Sequence, residues 1–287
     1  MSDLGSSYRR CRSLNRRFGK TYYYSTLLLP PESRPHVHAI YGFCRYVDDV
    51  VDVFADGGDH SRRARLEAVD RFAARFFADL ESGSSNDPIL AAVVNTAITF
   101  GIDAEKFERF TTSMKMDFEI DRYETFEELM VYMDGSAAVI GEMMLPILGA
   151  SNAEAAYGAR ELGVAFQLTN FLRDIEEDLG RGRVYVPQGD IRDFGAERAF
   201  AERRTTAQFK ELMRFEIART RIHYQNSLAG DLHLTGRALD CIRAARRLYS
   251  GILERIELVD YDVFSGRAKV PALQKFGTIG RLALSRV

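Results

Sequence analysis

The stretch from Val37 to Asp52 carries acidic residues on a helix whose other positions belong in a protein core. Val37, Tyr41 and Cys44 step by four and three residues, and Asp48 and Asp52 continue the same stripe. A second row, Ile40, Phe43, Val47 and Val51, runs beside it. A helix this apolar packs inside a fold. Its carboxylates then face an interior cavity, where a charge is very costly unless a cation meets it. The chain must build a helical core around a polar pocket.

A second segment repeats the pattern far along the chain. Gln167, Asn170, Asp174 and Asp178 form a polar line at steps of three, four and four. Leu168, Phe171 or Leu172, Ile175 and Leu179 make the adjacent apolar line. Carboxylates four apart on a helix are neighbours, and like charges at that spacing are destabilising by roughly 0.2–0.5 kcal/mol. Surface helices often carry acids one turn apart. Here two such pairs lie on apolar helices and each follows an arginine, Arg45 or Arg173. Hard divalent cations with oxygen ligands would compensate them. Two such helices face to face suggest a magnesium–diphosphate site.

Composition narrows the class. A chain of 287 residues can bury a sizeable core, as one large helical domain or two small ones. A formal net charge of −2 gives no overall basic field, so no nucleic-acid partner is expected. Cys11, Cys44 and Cys241 are odd in number and widely spaced, which gives neither a disulfide framework nor a zinc pattern and fits a reducing cytosol. The N-terminus lacks the apolar run of a signal peptide. The most apolar stretch, Ser136 to Ala150, is interrupted by Glu142 and falls short of the roughly 18–20 residues of a membrane span. A soluble, cytoplasmic chain is expected, with peripheral contact at the inner face of a membrane as the one membrane role open to it.

Helical periodicity dominates between prolines that cluster at joints, and no series of alternating strands emerges. Helices are expected over 5–18, 32–54, 60–82, 88–100 and 104–116. Others are expected over 125–149 (broken near Gly135), 153–179, 197–228 and 234–257. No repeat or linker divides the sequence, so residues 1–287 read as a single all-α domain.

At these motifs the chain resembles the squalene/phytoene synthase family. The resemblance starts at Lys20-Thr21-Tyr22-Tyr23-Tyr24-Ser25-Thr26-Leu27-Leu28-Leu29-Pro30 and continues through Tyr41-Gly42-Phe43-Cys44-Arg45-Tyr46-Val47-Asp48-Asp49. It takes in Tyr132 to Glu142, the Gln167–Asp178 signature, Arg183-Val184-Tyr185-Val186-Pro187, and the segment Tyr261 to Lys269. The stretch Tyr132 to Pro146 is most like bacterial, actinobacterial-type phytoene synthases. Met133 and Ser136-Ala137-Ala138 replace the commoner Cys and Val-Ala-Gly, and Thr21 and Tyr22 stand where many relatives have Ser and Phe. These departures bear on the tail pocket rather than the metal site.

The resemblance implies an isoprenoid-synthase helical bundle with a central cavity. It also implies magnesium-dependent (or manganese-dependent) head-to-head condensation of two geranylgeranyl diphosphates through prephytoene diphosphate to phytoene, in carotenoid biosynthesis. No NADPH is expected. The alternatives are a squalene or dehydrosqualene synthase taking farnesyl diphosphate, a non-catalytic family member acting as a scaffold, or a chain-elongating prenyltransferase or terpene cyclase. The chain keeps all four aspartates, which disfavours the scaffold, and the context of Asp178 disfavours the elongating and cyclising enzymes.

Ionising an allylic diphosphate requires its charge to be neutralised. Asp48, Asp52, Asp174 and Asp178 are assigned as metal ligands, with Asn170 as an additional one. Asp49 is a secondary candidate or a salt-bridge partner of Arg45. Arg45, Arg173 and Arg267 are candidate diphosphate clamps, because guanidinium suits bidentate phosphate binding. By family analogy Thr21 and Tyr249 add hydroxyl donors. Tyr41, Tyr132 and Phe166 are candidate cation-stabilising liners; Gln167 joins them in the pocket, and Ala138 beside Ala137 and Gly141 leaves room for a tail or for close helix packing. Asp117 and Asp121 form a third pair just before a break, and read as a solvated helix end. The basic run Arg9, Arg10, Arg12, Arg16 and Arg17 is a solvated face that could meet anionic lipid. The oligomeric state is left open.

Overall fold

The computed structural model describes residues 3–52 and 62–267, without the side chains of 50–52. The first helices are α1 (Leu4–Phe18), α2 (Lys20–Thr26), α3 (Arg34–Asp52), α4 (Arg62–Ser82), α5 (Leu90–Phe100) and α6 (Ala104–Met116). Next come α7 (Phe126–Met133), a π-helical turn over Asp134–Ala138, α8 (Val139–Leu148), α9 (Ala153–Arg173) and α10 (Ile175–Gly180). The chain continues with α11 (Gln188–Asp193), α12 (Glu197–Glu202), α13 (Ala207–Asn226), a 3₁₀ turn over Ser227–His233 and α14 (Gly236–Leu258). Among the described residues there is no strand, only an isolated bridge between Arg122 and Val184. The all-α expectation holds.

Local chemistry sets the boundaries. Asn152 accepts from the Ala155 amide and caps α9, as Thr206 does from Phe209 for α13. Gly149 closes α8 at φ 83°, in the left-handed region glycine tolerates best. One core packs α3 against α4 and α6, centred on Phe43, Phe72, Phe76, Phe107 and Phe110. Phe43 meets Phe107 edge to face at 5.0 Å. A second core lies between α9, α13 and α14, around Phe209, Leu212, Ile217 and Leu253. Helix α9 belongs to both, through Val164 and Leu168 in the first and Leu162 and Ala165 in the second.

The expected break and two departures from the periodic reading have physical causes. The break expected near Gly135 is the π turn, where a Cβ on Gly135 would lie 2.2 Å from the Arg109 carbonyl oxygen. The helix expected over 153–179 bends at Asp174 (φ −105°, ψ 14°), although Asp178 N–H still donates to the Asp174 carbonyl at 2.9 Å. The helix expected over 197–228 splits at Arg203, whose φ is 51°. The short helices α2 and α11 lie outside the helices expected from periodicity. Phe126–Leu148, 23 residues with the π turn inside it, is long and apolar enough to cross a membrane by length. In the fold 56% of its apolar window is buried, and Glu142 pairs with Arg109 and Arg160, so it serves as core.

Candidate active site

Helix α9 carries the site on one face. Ala155, Gly158, Ala159, Leu162, Gly163, Phe166, Gln167, Asn170 and Asp174 follow the helical repeat and all line one cavity of about 580 Å³. Small and apolar side chains occupy its first half, and amide and carboxylate groups its last. Glycine makes the close packing along this face feasible. A Cβ on Gly163 would lie 2.5 Å from the Ala137 carbonyl oxygen, and one on Gly141 would lie 2.2 Å from that of Ala159.

From α3, Val37, Tyr41, Cys44, Arg45 and Asp48 line the same cavity. The apolar stripe of the sequence thus becomes cavity wall, with Asp48 half-buried at its polar end. Asp52 closes α3, but its side chain lies outside the described residues. Asp49 takes the salt-bridge role, accepting from the Arg45 guanidinium one turn back.

The second aspartate group meets its arginines directly. Arg173 Nε donates to Asp174 Oδ1 at 2.8 Å, and Arg267 donates to Asp174 Oδ2 at 2.7 Å. Both carboxylate oxygens are therefore covered by guanidinium forks, a strong geometry. Asp178, one turn on, is half-buried, and desolvation together with the nearby Asp174 pushes its pKa up to about 7. Asn170 Oδ1 is buried without a hydrogen-bond donor among the described residues. An enclosed amide oxygen beside two carboxylates is an acceptor awaiting a cation or donor.

Among the described residues, no three acidic, histidine or cysteine side chains converge into a closed metal cage. The donors at the polar end, Asp48, Asp174, Asp178 and Asn170, are all hard oxygens on facing walls. That set fits magnesium, which is commonly held by one or two carboxylates plus a ligand's phosphate oxygens.

Two aromatic groups flank the carboxylates. Tyr22 stacks on Tyr249 at 4.7 Å, Phe166 lies 4.5 Å from Tyr249, and Tyr41 lies 6.3 Å from Tyr22. On the other side Phe171 stacks on Tyr185 at 4.0 Å, with Tyr132 5.7 Å from Tyr185. Asp117 sits among these rings. It is buried, and it accepts hydroxyl hydrogens from Tyr132 and Tyr185, each at 3.1 Å. The solvated-end reading therefore fails for Asp117. Only Asp121 is exposed, paired with Arg62 at 3.1 Å, because the chain turns between them.

The cavity thus brings together Arg45, Arg173, Arg267, Tyr249, Tyr41, Tyr132, Phe166, Gln167, Asn170, Asp48, Asp174 and Asp178. It does not bring in Thr21 or Ala138. Helix α2 turns Tyr22, Ser25 and Thr26 to the cavity, a face one residue round from Thr21. The π turn and α8 likewise present Ala137, Ile140, Gly141 and Met144, and leave Ala138 in the core. Sequence reasoning missed Tyr22, Asp117, Arg181, Arg183 and Tyr185 on the wall. The Arg183-Val184-Tyr185 run was visible as a motif, but nothing local to it says that Tyr185 meets Asp117.

Comparison with known proteins gives this geometry a context. The model of the squalene/phytoene synthase family matches residues 15–274. The chain is 36% identical to phytoene synthase 3, chloroplastic, of Zea mays over 95% of its own length and 64% of that protein's, just under two thirds of it. It is 35% identical to the 15-cis-phytoene synthase of Synechocystis sp., covering 96% of this chain and 83% of the relative. A crystal structure of a dehydrosqualene synthase superposes with a TM-score of 0.88 at 24% identity, covering 99% of this chain and 97% of the other, a likeness of fold.

Proposed function

The chain belongs to the squalene/phytoene synthase family, and we propose that it is a phytoene synthase, a metal-dependent prenyltransferase. On this reading it joins two geranylgeranyl diphosphates head to head, through prephytoene diphosphate, to phytoene. The observation that carries the reading is the gradient along α9. One cavity runs from small and apolar side chains at Ala155–Phe166 to amide and carboxylate groups at Asn170–Asp178. A prenyl diphosphate has the same polarity from tail to head. The names of the relatives, which are phytoene synthases, favour the longer tail.

Asp48, Asp174, Asp178 and Asn170 would hold magnesium, with manganese as a substitute and Asp52 as a further ligand. When bound, the metal supplies the positive charge against which the diphosphate leaves. Arg173 and Arg267, which grip Asp174, have the fork geometry to take up diphosphate oxygens, and Arg45 adds a third guanidinium from α3. Beyond the head group, the faces of Tyr22, Tyr41, Phe166 and Tyr249 can stabilise an allylic cation and keep water from it. Tyr132, Phe171 and Tyr185 offer a second such wall. The carboxylate of Asp117, reached through Tyr132 and Tyr185, adds negative charge on that side. A water-insoluble product makes peripheral work at a membrane part of the proposal. The exposed Arg9, Arg10, Arg12 and Arg16 of α1 offer it a basic surface.

The test is a product assay with purified protein and magnesium. It offers geranylgeranyl and farnesyl diphosphate separately, each with and without NADPH. Phytoene from the longer substrate without reductant is the expected result. A thirty-carbon product from farnesyl diphosphate alone would move the enzyme to the squalene-type branch. No product from either, with the helical fold intact, would overturn the catalytic reading.

A further inference from the structure

Phe18 is the last residue of α1 and belongs to neither core, yet it lies on the rim of the cavity with 43% of its surface exposed. Its place is fixed by the next residue. A Cβ on Gly19 would lie 2.5 Å from the Tyr41 ring and 2.7 Å from Asn15 Oδ1, so the α1–α2 junction is pressed against α3. That contact sets the Phe18 ring beside Arg45. The Arg45 guanidinium carbon stands 4.3 Å from the ring centroid, and that of Arg17 stands 4.9 Å from it. Both are within the range of a cation–π contact.

Arg45 is thereby held at two points. One amino group donates to Asp49 on its own helix, and the guanidinium carbon stands over the Phe18 ring. Its Nε is enclosed and has no acceptor among the described residues. An arginine that Asp49 alone restrained could swing about its long stem, and ordering such a side chain on binding has an entropic cost. A ring that keeps the guanidinium in place lowers that cost before a ligand arrives.

We propose that Phe18 is a positioning residue for diphosphate binding. It is an aromatic shelf that pre-orients Arg45, and Arg17 beside it, at the cavity mouth. The inference rests on the diphosphate reading of the site and adds to it a residue outside both aspartate motifs. It also gives Arg17, the last cation of the basic run on α1, a role at the mouth rather than on a solvated face.

The test compares Phe18→Leu, which keeps an apolar side chain but removes the ring, with Phe18→Tyr, which keeps the ring. Each is assayed for KM and kcat with prenyl diphosphate, for inhibition by inorganic pyrophosphate in the presence of magnesium, and for thermal melting. Phe18→Leu should raise KM and the pyrophosphate inhibition constant about two- to five-fold. Its kcat and melting temperature should stay at wild-type values, the pattern of lost uniform binding. Phe18→Tyr should restore both constants. Unchanged constants in Phe18→Leu would overturn the inference, as would a matching fall in kcat and melting temperature, which would make the ring a packing element. If the wild-type protein itself ignores magnesium pyrophosphate, the diphosphate reading fails and this inference fails with it. Normal inhibition of wild type together with an indifferent Phe18→Leu removes only the shelf.

Discussion

At the scale of single residues, Asp117 has the most to say about chemistry beyond the aspartate pairs. Burial would make an unshared carboxylate costly there, and the hydroxyls of Tyr132 and Tyr185 offset that cost while aiming the group at the cavity. If Asp117 acts on the cation rather than on the diphosphate, Asp117→Asn should keep the hydrogen bonds in reach and lose the charge. The expected outcome is a fall in kcat of roughly a hundredfold, with magnesium-pyrophosphate inhibition unchanged. A variant with wild-type kcat would leave Asp117 a packing role. The sequence could not reveal this group, because its spacing to Asp121 matches that of the two aspartate pairs, and only the turn after α6 sends the two side chains apart. The Val37–Asp48 stripe was legible because every member lies on one unbroken helix. Thr21 and Ala138 fail by a single position, since one residue on a helix is a large rotation.

At the scale of elements, close approach and charge decide where helices stop and what they touch. The π turn exists beside α6, where Gly135 leaves no room for a side chain: the Arg109 carbonyl oxygen and the Ser113 hydroxyl would each lie 2.2 Å from a Cβ. Gly135→Ala should therefore force backbone apart and cost about 1–3 kcal/mol. Gly180→Ala, with no described residue within 4 Å of the added carbon, should be close to neutral. Thermal melting of the two variants checks this, and equal melting temperatures would refute the packing argument. The glycine in Asp134-Gly135-Ser136 marked a break in the sequence, but not the π geometry, which depends on α6. The division of α12 from α13 was also readable in part, since Thr206 is an N-cap residue. Its partner signal, Arg203 in the left-handed region, leaves no mark in a run of ordinary helix formers.

Helix α13 also carries a pH-dependent element. Glu216 is buried, and burial leads the causes that push its pKa up to about 8; Arg219 at 3.0 Å opposes the rise, and Asp190 on α11 adds to it. The native state thus keeps a proton that an ordinary unfolded glutamate has released above about pH 4.3. Stability from this group is fully present below the unfolded pKa and is lost as pH rises through about 8. Melting temperature should fall between about pH 5 and 8, and Glu216→Gln, neutral throughout, should flatten that decline. A decline of the same size in Glu216→Gln would assign it to other groups.

At the scale of the whole molecule, the cavity ties together segments that the chain holds far apart. Asp48 comes from α3, Asp174 from the end of α9, and Arg267, which pairs with Asp174, from 93 residues further on. A ligand that bridges these groups binds only the folded chain, so it must stabilise the fold as a whole. Magnesium and pyrophosphate together, at about a hundred times the dissociation constant, should add about 2.7 kcal/mol. For a chain near this size that is roughly 5–10 °C in melting temperature. Either component alone should give much less, because the carboxylates need the cation's charge and the cation needs the phosphate oxygens to complete its shell. Asp174→Asn and Asp48→Asn should each abolish most of the joint shift while leaving the circular dichroism of the helices intact. Differential scanning fluorimetry with each component separately and combined reads the effect. A full shift from pyrophosphate without magnesium would mean that Arg45, Arg173 and Arg267 hold the anion by themselves, and the metal assignment of the aspartates would fall.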